Sequence, residues 1–174
     1  MKSFVAMMLA AAVFLGGCAK RPAPATGPEE THGEFLVPTV AQGKLPTIKL
    51  WLGSEELDTE VALTTMQQAT GMMFRTNMPE NTAMLFVRPQ PEQSSFWMTN
   101  CPLPLEAAYI DPEGSILELH ELKANDPTAV VAQSHNVQYV LEANSGWFER
   151  HHIPAGTLIT TEHGSLPEIF LRRR

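Results

Sequence analysis

Three ionisable residues, Glu106, Glu118 and His120, fall at even spacing on two short apolar segments of a 174-residue chain. Carboxylates beside an imidazole suit general acid–base work or a metal site. A polar face of alternating Glu and His is also what any solvated strand presents. A second set, Arg75, Trp97 and Asn100, combines a forked cation, an aromatic platform and an amide. Such a set fits a sugar, a peptide or a carboxylate ligand. The plainer alternative packs Trp97 in the core, uses Asn100 to cap a turn and closes an internal ion pair on Arg75. Six methionines, Met66, Met72, Met73, Met78, Met84 and Met98, offer thioethers that favour Cu(I), or simply fill core volume.

Other arrangements carry no chemistry. Ser134-His135 cannot act as a pair in an extended segment, where adjacent side chains point to opposite faces, and His151-His152 fails as a chelate for the same reason. There is no nucleophile elbow, no zinc-like Cys or His spacing and no phosphate-cradling glycine loop. No resident metal or cofactor is expected.

The stretch Ser94 to Glu106 organises the rest. Phe96-Trp97 opens like a strand, and Pro102 and Pro104 then forbid both a helix and continuous ladder bonding. Thr47 to Leu52 alternates apolar and polar residues and reads as a strand, stopped by Gly53-Ser54. A second strand is expected over Leu57 to Leu63, and a short helix from a capping box at Thr65-Met66-Gln67-Gln68 to Gly71. Met84 to Val87 reads as a short buried strand closed before Pro89. Asp111-Pro112-Glu113-Gly114 predicts a hairpin turn over Leu105 to Leu122. If Asp111 faces Ser115, then Leu105, Ala107, Tyr109, Leu117 and Leu119 share the core face, and Glu106 lies opposite His120. Asn125-Asp126-Pro127 marks a loop, Val137 to Ala143 a strand, Ser145 to His151 a turn or short helix, and Gly156 to Thr160 a closing strand. The expected class is all-β, a small single-domain β-sandwich or barrel with one or two short helices.

The N-terminus sets an address. Lys2 precedes an apolar run from Phe4 to Leu15, of signal-peptide length and short of the roughly twenty residues a spanning helix needs. Leu15-Gly16-Gly17-Cys18 resembles the bacterial lipoprotein lipobox, which makes Cys18 the lipidated first residue of the mature chain. Residues 1–17 are then a signal peptide and 18–44 a proline-rich tether spanning roughly 25–30 Å. Residues 45–162 form the domain and 163–174 a C-terminal tail. Ala19 after the cysteine favours an outer membrane facing the periplasm, where the cell has two membranes. With Cys18 acylated, Cys101 has no disulfide partner within the chain. A net charge of -7 with no basic stripe excludes an electrostatic nucleic-acid binder.

Five blocks in order resemble the family known as domain of unknown function 192. They are Thr70-Gly71-Met72-Met73-Phe74-Arg75, Ala83-Met84-Leu85-Phe86, Phe96 to Cys101, Leu105-Glu106 with Tyr109-Ile110-Asp111, and Tyr139-Val140-Leu141-Glu142 with Gly146. The resemblance runs from about Ile48 to Thr160 and implies a compact all-β domain, with no established reaction. Cys101 stands where the family pattern has threonine, Glu106 where it has aspartate and Ala83 where it has glycine. The expected protein is a lipid-anchored, monomeric envelope module. It is expected to bind a small ligand or an envelope protein through Arg75, Trp97, Asn100 and Glu106, without catalysis. The alternatives are a hydrolase-like enzyme using Glu106 and His120, or a methionine-based Cu(I) binder.

Overall fold

A computed structural model describes residues 38–171. The expected signal peptide, Cys18 and the expected tether as far as residue 37 lie outside the described residues, as do the last three arginines. No helix among the described residues is long and apolar enough to cross a membrane.

The chain is all-β. Strands β1 (Thr47–Leu52) and β2 (Glu55–Ala62) form a hairpin whose turn needs Gly53 at φ +64°. Helix α1 (Thr65–Thr70) then carries the chain over to β3 (Thr82–Glu92), which runs parallel to β2, a pairing that requires a crossover. After β4 (Ser95–Phe96), β5 (Leu105–Ile110) and β6 (Ile116–Leu122) make a second hairpin. Strand β7 (Val130–Val131) pairs only with β4, while β8 (Val137–Asn144) inserts between β3 and β5. Helix α2 (Trp147–Arg150), β9 (Ile159–Thr161), β10 (Gly164–Ser165) and α3 (Leu166–Phe170) finish the domain. The main sheet has eight strands in the order β10-β9-β1-β2-β3-β8-β5-β6. It curls until Ser115 and Leu158 meet in one isolated antiparallel bridge, and the ladder goes no further. The result is a curled mixed sheet and not a closed barrel.

Side-chain alternation divides the apolar residues between two faces. The inner face carries Leu57, Leu85, Leu141 and Ala108, packed with Trp147 and Phe148 of α2 and Leu166 of α3. The outer face carries Met84, Phe86, Val140, Leu105, Ala107 and Tyr109, covered by loop residues Met72, Met98, Cys101 and Ala132.

Five expectations are corrected. The capping box sits one residue earlier, on Thr64 and Gln67, because Thr64 is extended and Gln68 instead donates to the Val87 carbonyl. Strand β3 continues past Pro89 and Pro91, which fall in a register irregularity between Val87 and Glu92 where no ladder bond is lost. In the β5/β6 hairpin the Asp111 amide does donate to the Ser115 carbonyl, at 3.0 Å. A bulge then shifts the register between Ile110↔Ile116 and Tyr109↔Glu118. Glu106 therefore faces Glu121, His120 faces Ala107, and Glu106 and His120 lie on opposite faces of the sheet. Residues 164–170, expected in a tail, pair with β9 and bury Leu166, adding a third helix. At the other end, Gln42, expected in the tether, is bonded to the domain. The Gln42 side chain donates to the carbonyls of Gln67 and Gly71, at 3.1 and 2.9 Å.

Candidate functional site

Three loops roof the outer face: 71–79 after α1, 97–104 after β4, and 123–136 after β6. Each contains a non-glycine residue in the left-handed region, Phe74 (φ 61°), Asn100 (φ 60°) and Asn125 (φ 56°). That conformation costs an ordinary residue about 1–2 kcal/mol, and asparagine less. Main-chain bonds between the loops hold it in place. Phe74 donates to the Asn100 carbonyl (2.7 Å), Asn125 to that of Cys101 (2.8 Å) and Met98 to that of Asp126 (2.8 Å). Strain gathered in one place and fixed by neighbours is characteristic of functional loops. Gly71 contributes by close approach, since a Cβ there would meet the Phe86 ring at 3.3 Å.

Beneath the roof, one transverse row crosses five strands: Glu60, Met84, Glu142, Ala107 and His120. Two strand spacings separate Glu60 from Glu142, and Glu142 from His120, about 10 Å in each case. The three ionisable residues of the row are treated very differently.

Glu60 forms a two-pronged pair with Arg75, at 2.6 and 2.9 Å, and accepts the Leu45 amide at 2.7 Å. Burial works against its charge, but the guanidinium and the amide prevail and hold the carboxyl below its usual range. His120 bonds Glu118 at 2.7 Å, and Glu118 also accepts the amides of Gln133 and Ser134 at 3.0 Å. These bonds outweigh burial and lower the Glu118 carboxyl. The Glu118–His120 pair therefore anchors the 132–135 loop to the sheet.

Glu142 has neither kind of help. It is 4% exposed, lies between Met84 and Ala107, and accepts no hydrogen bond from any described residue. Burial alone pushes its carboxyl up to about 8. Its charge is felt by Cys101 and Tyr109, but both point their hydrogens elsewhere. The Tyr109 hydroxyl donates to the Val130 carbonyl at 2.7 Å, and the Cys101 thiol faces the Leu103 carbonyl at 3.7 Å. Burial raises that thiol to about 11, which removes Cys101 as a nucleophile.

Of the four expected ligand residues, the structure brings only two close together. Arg75 lines a cavity of about 370 Å³ on the outer face of β2 and β3, with Lys44, Asp58, Glu60, Asn77 and Met72 among its walls. Asn100 is exposed and joined to the same loop through its carbonyl bond from Phe74. Trp97 stands 53% exposed, outside the core. Glu106 belongs to the opposite face. It accepts the Phe148 amide at 3.3 Å where α2 begins, and its carboxyl is raised chiefly by burial. The geometry behind a Glu106/His120 acid–base pair is thus absent.

Residue patterns missed Glu60 and Glu142. The second had a visible signal, a lone carboxylate inside the apolar run Val137 to Ala143. No group of three or more His, Cys, Asp or Glu among the described residues could hold a metal ion. The methionines divide: Met72, Met84 and Met98 are buried together and Met78 packs against them, whereas Met66 is exposed and Met73 lies outside the cluster.

The same fold occurs in solved structures. A candidate transcription regulator from Sinorhizobium meliloti matches with a TM-score of 0.64 and 25% identity, over 70% of this chain and 98% of the other. A protein of unknown function from Novosphingobium aromaticivorans matches at 0.63 and 27% identity, over 76% and 99%. No functionally curated protein matches the chain. The family model for DUF192, described as uncharacterized ACR, matches residues 48–161, and the chain belongs to that family.

Proposed function

We propose that this DUF192 domain is a small-ligand-binding module, held at the cell envelope by a lipid on Cys18. The observation that carries the reading is the cavity beside Arg75. Its walls pair cations (Lys44, Arg75) with carboxylates (Asp58, Glu60), an amide (Asn77) and thioethers (Met72, Met78). Opposite charges over an apolar floor suit a polar ligand with an anionic group, such as a short peptide, a dicarboxylate or an acidic sugar. Arg75 already answers Glu60, so Lys44 and Asn77 are the donors left for a ligand.

The test is a thermal-shift panel of dipeptides, dicarboxylates and uronic acids on the full chain carrying Cys18→Ser. At least one class should raise the melting temperature. Lys44→Ala and Asn77→Ala should remove the shift, while Glu106→Gln should leave it intact. No shift with any class sinks the reading. Metabolic labelling with a radioactive fatty acid, lost in Cys18→Ser, tests the anchor separately.

A further inference from the structure

Lys44, a wall of the cavity beside Arg75, comes from a segment that no strand or helix contains. Residues 42–45 precede β1, and side chains of the domain hold them in place. Gln42 donates to the Gln67 and Gly71 carbonyls in and just after α1, at 3.1 and 2.9 Å. The Gly43 carbonyl accepts from Arg75 at 3.4 Å, and the Leu45 amide donates to Glu60 at 2.7 Å. Arg75 and Glu60 are themselves joined at 2.6 and 2.9 Å, so one ion pair grips the strap on both sides of Lys44. From Pro46, whose carbonyl accepts the Val61 amide, main-chain pairing with β2 takes over. A segment held by side chains instead of a ladder opens locally, ahead of global unfolding.

We propose that residues 42–45 are a latch on the cavity, locked by the Arg75–Glu60 pair and held shut by an anionic group bound between Lys44 and Asn77. Lys44 belongs to the strap and Asn77 to the 71–79 loop, and both line the cavity, so one carboxylate bonded to the two ties the strap to the domain. A ligand that needs Lys44 in place depletes the open form in proportion to its occupancy. The chain leads from the strap back to Cys18, so a filled cavity is reported at the joint between the domain and its N-terminal segment. The effect of the ligand rests on the binding proposed above, whereas the latch exists without it.

The experiment is native-state amide exchange by NMR on the full chain carrying Cys18→Ser, read at Leu45 with Leu141 of the central strand β8 as reference. Leu45 exchange should be insensitive to low urea, the mark of local opening, while Leu141 exchange accelerates. Gln42→Ala and Arg75→Ala, neither of which removes the Leu45 acceptor, should each speed Leu45 exchange by about fivefold or more. Succinate, glucuronate and alanyl-aspartate probe the closed form. Any of them that raises the melting temperature should slow Leu45 exchange by at least about fivefold, and Lys44→Ala should abolish the slowing. A urea dependence at Leu45 parallel to that at Leu141, or parent-like Leu45 exchange in both folded variants, overturns the latch. A probe that raises the melting temperature without slowing Leu45 overturns its coupling to the cavity. No thermal shift with any probe sinks the binding reading and the ligand's effect, while the first two results still decide the latch.

Discussion

The two faces of the curled sheet use the same strands for different ends. On the inner face, β2, β3, β8 and β5 present Leu57, Leu85, Leu141 and Ala108 to α2 and α3, and the carboxylate there, Glu106, accepts the Phe148 amide. Its unpaired buried polar atoms are the Tyr139 hydroxyl and the Trp147 indole nitrogen, both uncharged. On the outer face, one step along each strand, the same ladder carries Glu60, Glu142 and His120 among thioethers, beneath loops held in left-handed conformations. Three of the four left-handed non-glycine residues lie in the loops over the outer face, while the fourth, His152, follows α2 on the inner side. The inner face holds the fold, and the outer face spends stability on something else.

The comparison can be broken first on the inner face. Phe148→Ala should cost about 3–5 kcal/mol in urea denaturation, because it empties a fully buried ring site. Met98→Leu on the outer face should cost less than about 1.5 kcal/mol, and equal losses would erase the distinction.

The pH dependence of stability tests Glu142. Its carboxyl titrates near 4.5 when unfolded and near 8 in the fold. The folded form keeps its proton longer, so this contribution is complete below pH 4.5 and is lost as pH rises towards 8. Within that window each pH unit costs up to about 1.4 kcal/mol. Denaturation midpoints across the window should fall more steeply in the parent than in Glu142→Gln. Parallel curves would mean that Glu142 is solvated.

Arg75→Ala leaves the Glu60 carboxylate half-buried and unpaired, at a cost of about 2–3 kcal/mol. Adding Glu60→Gln should recover part of that loss in a double-mutant cycle. The smallest effect concerns Cys101. Threonine at this position, as in the family pattern, offers a hydroxyl where the Glu142 charge is felt. Cys101→Thr should stabilise by about 0.5–1.5 kcal/mol, and only while Glu142 is present.

Much of the fold is legible in local patterns. Strand β1, the Gly53 turn, the hairpin tip at Asp111–Gly114 and the loop at Asn125 follow from alternation and turn chemistry acting over a few residues. The third helix also had a signal, since Ser165-Leu166-Pro167-Glu168 carries a capping box with proline in the first turn. The candidate site was legible only in part. Arg75 and Asn100 are recognisable by type and do lie near one another. The partner of Arg75, Glu60, sits fifteen residues away on strand β2, beyond the reach of any local rule.

By itself the sequence determined the class of the fold, the positions of most strands and turns and the family, because these depend on periodicity and on backbone preferences of single residues. Tertiary structure decided the pairings. One extra residue in β6, set as the sheet curls towards the Ser115–Leu158 bridge, moved His120 away from Glu106. Neighbours from β3 and β5 then decided that Glu142 would be buried without a partner. Such outcomes depend on which strands meet and in what register, and no stretch of chain carries that information alone.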